Sequence, residues 1–211
     1  AENVPIKDTD IAGLAGFAAS HGVDLTVVGP EAPLVLGIVD EFEKRGLKIF
    51  GPSKKAAELE GSKVFAKQFL ERHRIPTGRF KVVENISQVD KVLASGELGL
   101  PVVVKADGLA AGKGVVICHT AKKAEETAND MLVHGKFGQA GKRILMEEFL
   151  RGREMSFIVV TDGTNVQPFV TAMDHKTAYD GDKGPNTGGM GAISPSPYIT
   201  EDVYKDVMEK I

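Results

Sequence analysis

Residues 102–118 read VVVKADGLAAGKGVVIC, and the fold turns on how that stretch is divided. Valines 102–104 at one end and Val115, Val116 and Ile117 at the other are β-branched runs bounded by glycine, which predicts strands at 102–106 and 115–118. Two residues suffice to join such strands as a hairpin. The chain instead sets residues 105–114 between the apolar runs, with glycines at 108, 112 and 114 and lysines at 105 and 113. Glycine leaves backbone N–H groups free to approach an anion, and lysine brings compensating charge. Lys105, Gly108, Gly112, Lys113 and Gly114 are therefore candidate phosphate ligands. The spacing G-x-x-x-G-K-G is not a Walker A loop: no Ser or Thr follows Lys113, and a strand follows rather than a helix. Nor is it a G-x-G-x-x-G dinucleotide turn. Taken alone, the segment leaves a bare surface hairpin open as the alternative.

Around this hairpin, residues 79–149 read as strand, helix (86–95), strand, glycine-rich loop, strand, helix (121–134) and strand (143–149), a compact α+β unit. The last strand runs into Arg151-Gly152, where its end can offer backbone groups to an adenine edge. Glu154, just beyond, suits paired ribose hydroxyls. Singly these signs are weak: a glutamate near a turn is usually only solvated, and Lys63, at the start of a helix, is usually a surface lysine.

Upstream, the apolar runs at 25–28 and 47–50 each end in Gly-Pro and enclose a helix expected at 34–44, a parallel βαβ unit. Ligands bind beyond the carboxyl ends of such strands, here at Gly29-Pro30 and Gly51-Pro52. Ser53 and Ser62 are N-cap residues of two consecutive helices. Downstream, Asp162-Gly163 joins strands expected at 153–162 and 165–172. Residues 174–197 lack a hydrophobic period and are expected to form a long functional loop. It opens with Asp174-His175-Lys176 and contains GPNTGGMGA at 184–192, whose small side chains and free N–H groups suit an anionic or sugar-phosphate substrate. A capped helix is expected at 200–211.

Net charge of −3 gives no electrostatic footprint for nucleic acid or an anionic membrane, and no apolar run reaches the length of a membrane span. A single cysteine, Cys118, excludes an internal disulfide framework and reads as core filler. A cytoplasmic protein is expected. Asp174 and His175 form no triad, because no nucleophile sits at a recognisable elbow, and His175 lacks spaced partners for a metal.

Jointly, VVGPEAPL (27–34), IFGP (49–52), LEGSK (59–63), KADGLAAGKGV (105–115), EEFL (147–150), DHK (174–176) and GPNTGGMGA (184–192) resemble the ATP-grasp superfamily and, within it, the glycinamide ribonucleotide synthetases. The resemblance implies an α/β fold: a partial doubly wound parallel-sheet lobe at 1–62, followed by ATP-grasp α+β lobes. Residues 63–78 with 150–211 would belong to the larger of these, and 79–149 to the lid. It implies a C–N-forming ligase of purine biosynthesis that uses ATP to join glycine to 5-phosphoribosylamine through a glycyl phosphate. In that scheme Lys63 and Lys105 grip the triphosphate, Glu147 and Leu150 meet adenine through backbone groups, and Glu154 holds the ribose. Asp174, His175, Lys176, Asn186, Thr187 and Gly188 border the substrates, while Pro30 and Glu31 lie near phosphoribosylamine.

The departures are at the ends. The chain opens in a helix leading to a parallel strand with no earlier strand to pair with, and it closes in mid-helix. The family's Gly-rich GNGGRE-like start and its E-x-N and RFGDPE segments do not occur in it. The ligands for Mg²⁺ (or Mn²⁺) are therefore expected in a longer parent, with these 211 residues inactive alone. Another carboxylate–amine ligase and a non-catalytic nucleotide-binding module are the alternatives.

Overall fold

A computed structural model describes residues 1–110, 114–181 and 183–211; Gly112 and Lys113 of the predicted phosphate loop lie outside them. The chain forms two compact units, Ala1–Phe149 and Leu150–Ile211.

The first unit begins with α1 (Ile11–Ser20), whose N-cap Asp10 accepts a hydrogen bond from the Gly13 N–H at 2.9 Å. Strands β1 (Thr26–Val27) and β2 (Ile49–Phe50) pair in parallel, Thr26 opposite Ile49. The single helix expected at 34–44 is instead two, α2 (Glu31–Leu36) and α3 (Ile38–Lys44). Pro30 stands extended as the cap residue, and Pro33 falls early enough that its missing N–H costs no helical bond. Gly37 then takes φ 95°. Its N–H closes α2 on the Pro33 and Leu34 carbonyls at 3.1 and 3.0 Å, while its carbonyl opens α3 by accepting the Glu41 N–H. Ala15, Ala18, Ile38, Val39 and Phe42 form the core beneath. Gly51 is needed for close approach, since a Cβ there would lie 2.8 Å from Leu34 and 3.2 Å from Val39.

Consecutive helices α4 (Lys54–Gly61) and α5 (Lys63–Arg72) follow, capped by Ser53 and Ser62. Next come β3 (Phe80–Val83), α6 (Ile86–Ser95), β4 (Val102–Ala106), β5 (Val115–Cys118), α7 (Ala121–Leu132) and β6 (Ile144–Glu148). The four strands make one antiparallel sheet in the order β3-β6-β4-β5. Val102, Val104, Ala106, Ile144 and Met146 are buried with Val89 of α6 and Ala124, Ala128 and Met131 of α7. Burying each large apolar side chain is worth about 1.5–3 kcal/mol, so this layer fixes which face of the sheet the helices cover. Successive strand residues point to opposite faces. Val103, Lys105, Leu145 and Glu147 therefore share the other one.

In the second unit β7 (Val159–Thr161) and β8 (Val166–Pro168) form a hairpin shorter than expected, with one further bridge between Ser156 and Ala172. Residues 174–197, expected as a loop, pair in part: β9 (Met173–Asp174) with β12 (Ala192–Ile193), and β10 (Thr177–Tyr179) with β11 (Lys183–Asn186), both antiparallel. No period revealed these strands because they are two to four residues long and bury little. Helix α8 (Glu201–Lys210) ends the unit, capped by Thr200.

Two outcomes follow from this architecture. Gly37→Ala forces a side chain into the left-handed region and 3.1 Å from Lys54. It should cost about 1–2 kcal/mol, read as a lower urea midpoint at unchanged m-value; an unchanged midpoint would contradict the two-helix description. In the β7–β8 turn, N–H groups of Asn165 and Thr164 bond the Asp162 carboxylate, holding its pKa down to about 2. A depressed folded-state pKa gives stability that is present above the ordinary carboxylate range and lost as pH falls toward 2. Amide exchange at Thr164 and Asn165 should therefore accelerate, relative to the rest of the unit, as pH drops from about 4 to 2. Uniform exchange across that range would count against the turn.

Candidate nucleotide and substrate sites

The base of the glycine-rich hairpin is fastened to the start of α5. Ala106 N–H donates to the Gly114 carbonyl at 2.8 Å, closing the hairpin neck. Asp107, next in the chain, is buried, and its Oδ1 accepts from Ser62 Oγ at 2.8 Å and from the Val64 N–H at 3.1 Å. Its Oδ2 accepts from Arg143 Nε, and Arg143 also reaches Ser62 Oγ at 3.3 Å. A carboxylate at this point satisfies an otherwise orphaned helix N–H and sits favourably at the positive end of the helix dipole. Gly108 has φ 108° and approaches Ala140 so closely that a Cβ would lie 3.2 Å away. Its carbonyl accepts from Lys63 Nζ at 2.9 Å. The structure thus brings Lys63 to the glycine-rich hairpin, its ammonium on a main-chain carbonyl.

The face of the sheet away from α6 and α7 carries the other predicted lysine. Glu147 stands opposite Phe80 on one side and Val103 on the other, so its main chain belongs to the ladder and its carboxylate points into that face. The carboxylate is 8% exposed. Its Oε1 accepts from Lys67 Nζ, and Lys105 Nζ lies 2.6 Å from Oε2. That second contact is an ion pair without hydrogen-bond alignment, since among the described residues Oε2 is a buried oxygen with no hydrogen-bond partner. Beside this cluster Val115 and Ile117, opposite Lys105 and Val103, are exposed. Lysine charge over an apolar floor suits a nucleotide, whose phosphates want cations and whose base wants a flat apolar surface. Glu148 instead faces Arg79, accepting from its N–H at 2.8 Å and its Nε at 2.7 Å. Arg79 holds the Glu148 carboxyl below the usual carboxylate range and is itself raised by that bond.

In the second unit the two substrate-side motifs are zipped together. Asp174 pairs with Ala192 and Thr177 with Asn186. Between these, His175 N–H donates to the Gly191 carbonyl at 2.9 Å and Met190 N–H to the His175 carbonyl at 2.7 Å. The Lys176 carbonyl accepts from the Thr187 N–H at 2.6 Å and from its Oγ1 at 3.0 Å. Gly188 is thereby held in a tight excursion in which Gly189 N–H donates to Thr187 Oγ1 at 3.0 Å. Lys176 Nζ lies 2.9 Å from Glu154 and 3.9 Å from Asp174; the Glu154 bond raises its pKa. Glu154, predicted for a ribose, is in this structure a lysine partner. Leu150 is exposed. Pro30 and Glu31 sit at the carboxyl end of β1, and among the described residues no hydrogen bond or ion pair joins them to Lys63 or Lys105.

Sequence reading missed Lys67, Asp107 and Arg143. Lys67 follows Lys63 by four residues and so shares its helix face; Asp107 directly follows the buried β4, where a charge needs partners. Among the described residues no three His, Cys, Asp or Glu side chains converge as a metal site. The Mg²⁺ or Mn²⁺ expected with the phosphates does not fit a site in this set. Nor, among those residues, is any helix long and apolar enough to cross a membrane.

A helix-backed antiparallel sheet whose β4–β5 connection is rich in glycine and lysine places the chain in the ATP-grasp fold class. A phosphoribosylamine–glycine ligase crystal structure from Thermotoga maritima matches 98% of this chain and 49% of its own, with TM-score 0.79 and 32% identity. The N5-carboxyaminoimidazole ribonucleotide synthetase of Thermus thermophilus shares the fold at TM-score 0.70 and 22% identity, over 97% of this chain and 50% of its own. The model of the phosphoribosylglycinamide synthetase N domain matches residues 1–60, and that of its ATP-grasp (A) domain residues 61–211. The chain belongs to the phosphoribosylglycinamide synthetase family. It is similar over its whole length to the phosphoribosylamine–glycine ligases of Yersinia pestis (56% identity) and Escherichia coli K12 (55%), covering 49% and 48% of them. It thus spans about half the length of the curated relatives it matches.

Asp107→Ala strips acceptors from Ser62, the Val64 N–H and Arg143 at once. The expected loss is about 1.5–3 kcal/mol of unfolding free energy, with Asp107→Asn losing less because its amide oxygen still accepts. Urea unfolding of both variants checks this; equal stability to the unsubstituted chain would show the node to be idle.

Proposed function

We propose that this chain supplies the ATP-gripping and substrate-facing parts of an enzyme that joins glycine to 5-phosphoribosylamine. The reading is carried by Lys105, which stands at the foot of the glycine-rich hairpin on the face away from α6 and α7, in a sheet whose sequence belongs to the synthetase family. Lys63 and Lys105 neutralise the triphosphate, and Gly108 and Gly114 let the main chain come close to it. Glu147 and Leu150 mark the adenine end, and Glu154 serves the ribose.

A glycine carboxylate oxygen attacks the γ-phosphorus, and the bond to the bridging oxygen of ADP breaks. The amine of phosphoribosylamine then attacks the acyl carbon, a C–N bond forms, phosphate leaves and the surplus amine proton passes to water. No side chain needs to act as nucleophile; positioning and charge neutralisation carry the rate. Asp174, His175 and Lys176, cross-linked to residues 186–192, border the glycine and the γ-phosphate, while Pro30 and Glu31 receive phosphoribosylamine. Such an enzyme works in purine synthesis in the cytoplasm.

In a polypeptide of family length carrying this sequence, ADP release should require both glycine and phosphoribosylamine. Lys105→Met should lower kcat/KM for ATP about 10²–10³-fold. Better turnover with another carboxylate than with glycine would assign a different carboxylate–amine ligase. ATP binding that no substrate alters and that leads to no turnover would assign a non-catalytic module. Either result overturns the proposal.

A further inference from the structure

Lys67 is a second, partly buried lysine on the sheet face away from α6 and α7, and the gripping role of Lys105 leaves it unexplained. Its side chain is 12% exposed, against 26% for Lys105. Its ammonium donates to Glu147 Oε1, to Thr77 Oγ1 at 2.5 Å and to the Gly78 carbonyl at 3.4 Å, and lies 5.8 Å from the centre of the Phe80 ring. Lys67 is therefore seated on several sides. Among the described residues Lys105 makes one unaligned contact, with Oε2, and it is the more accessible of the two.

The asymmetry has a consequence for any anion that Lys105 must bind. A buried carboxylate with a single cation holds it hard, because the departure of that cation leaves an uncompensated charge in a poorly solvated place. A carboxylate that keeps one fixed lysine can release the other at much smaller cost. We propose that Lys67 is a positioning residue for ATP: as the standing counter-charge of Glu147, it frees Lys105 to exchange the carboxylate for a phosphate oxygen. This rests on the assignment of Lys105 to the triphosphate.

The test measures ATP affinity of the chain by titration calorimetry, with circular dichroism to confirm folding. Lys67→Met leaves Lys105 as the only charge partner of Glu147 among the described residues and should weaken ATP binding about tenfold. Lys67→Arg keeps the charge and should stay within about threefold of the unsubstituted chain. The double variant Lys67→Met/Glu147→Gln removes the carboxylate as well and should bind ATP more tightly than Lys67→Met alone. Mere loss of packing cannot produce that recovery. In the family-length enzyme the Lys67→Met defect should appear in KM for ATP rather than in kcat. Equal affinity of Lys67→Met and the unsubstituted chain overturns the proposal, as does a double variant no better than the single. Should Lys67→Met not fold, the arginine and double variants decide it: the proposal falls if the double variant binds ATP more than about tenfold more weakly than Lys67→Arg. If the unsubstituted chain binds no ATP, the nucleotide assignment fails and takes this proposal with it.

Discussion

Three charges, those of Lys67, Glu147 and Lys105, are largely withdrawn from water on one face of a four-stranded sheet, and the organisation of the first unit follows from giving them a place. A carboxylate in such surroundings must be paired. Strand alternation puts Glu147 and Lys105 on the same side of β6 and β4, because Val103 is opposite Glu147 and Lys105 is opposite Leu145. The opposite side is filled by α6 and α7, packed on Val102, Val104, Ile144 and Met146. The polar cluster can therefore exist only where those helices are not, and α5 brings the second lysine to it. Binding chemistry and core packing are two sides of one alternating pattern.

The hairpin between β4 and β5 would be a loose appendage without Asp107. By accepting from Ser62, the Val64 N–H and Arg143, that residue ties the foot of the loop to the first turn of α5 and to the chain just before β6. Lys63 adds its bond to the Gly108 carbonyl. Lys63 and Lys105, far apart in sequence, are thereby referred to one rigid node. In the second unit main-chain pairing does the equivalent work: Asp174-His175-Lys176 is held against Thr187–Ala192 by alternating backbone bonds, so small side chains and glycines suffice there.

Much of this was legible in the residues. The valine runs, the consecutive serine caps and the β4–β5 hairpin follow from periodicity and glycine placement, and each forms where those signals put it. The helix expected at 34–44 divided because a glycine in a helical pattern gives no sign of its φ, and Gly37 takes a left-handed one. The strands within 174–197 were hidden because pairs of two to four residues with exposed side chains have no period to read. Lys67 escaped notice for a different reason. A lysine on a helix looks solvated until the fold shows what carboxylate it faces, and Glu147 lies eighty positions away. Local pattern reports which elements form; the identity of buried charge partners is set by topology.

The most direct measurement of the central claim is a crystal structure of this chain with a non-hydrolysable ATP analogue. The account predicts phosphates lodged between Lys63, Lys105 and the glycine-rich hairpin on the face away from α6 and α7, with Lys105 Nζ moved from Glu147 to a phosphate oxygen and the Lys67–Glu147 pair intact. An analogue bound elsewhere, or one bound there with Lys105 still on Glu147, would contradict it.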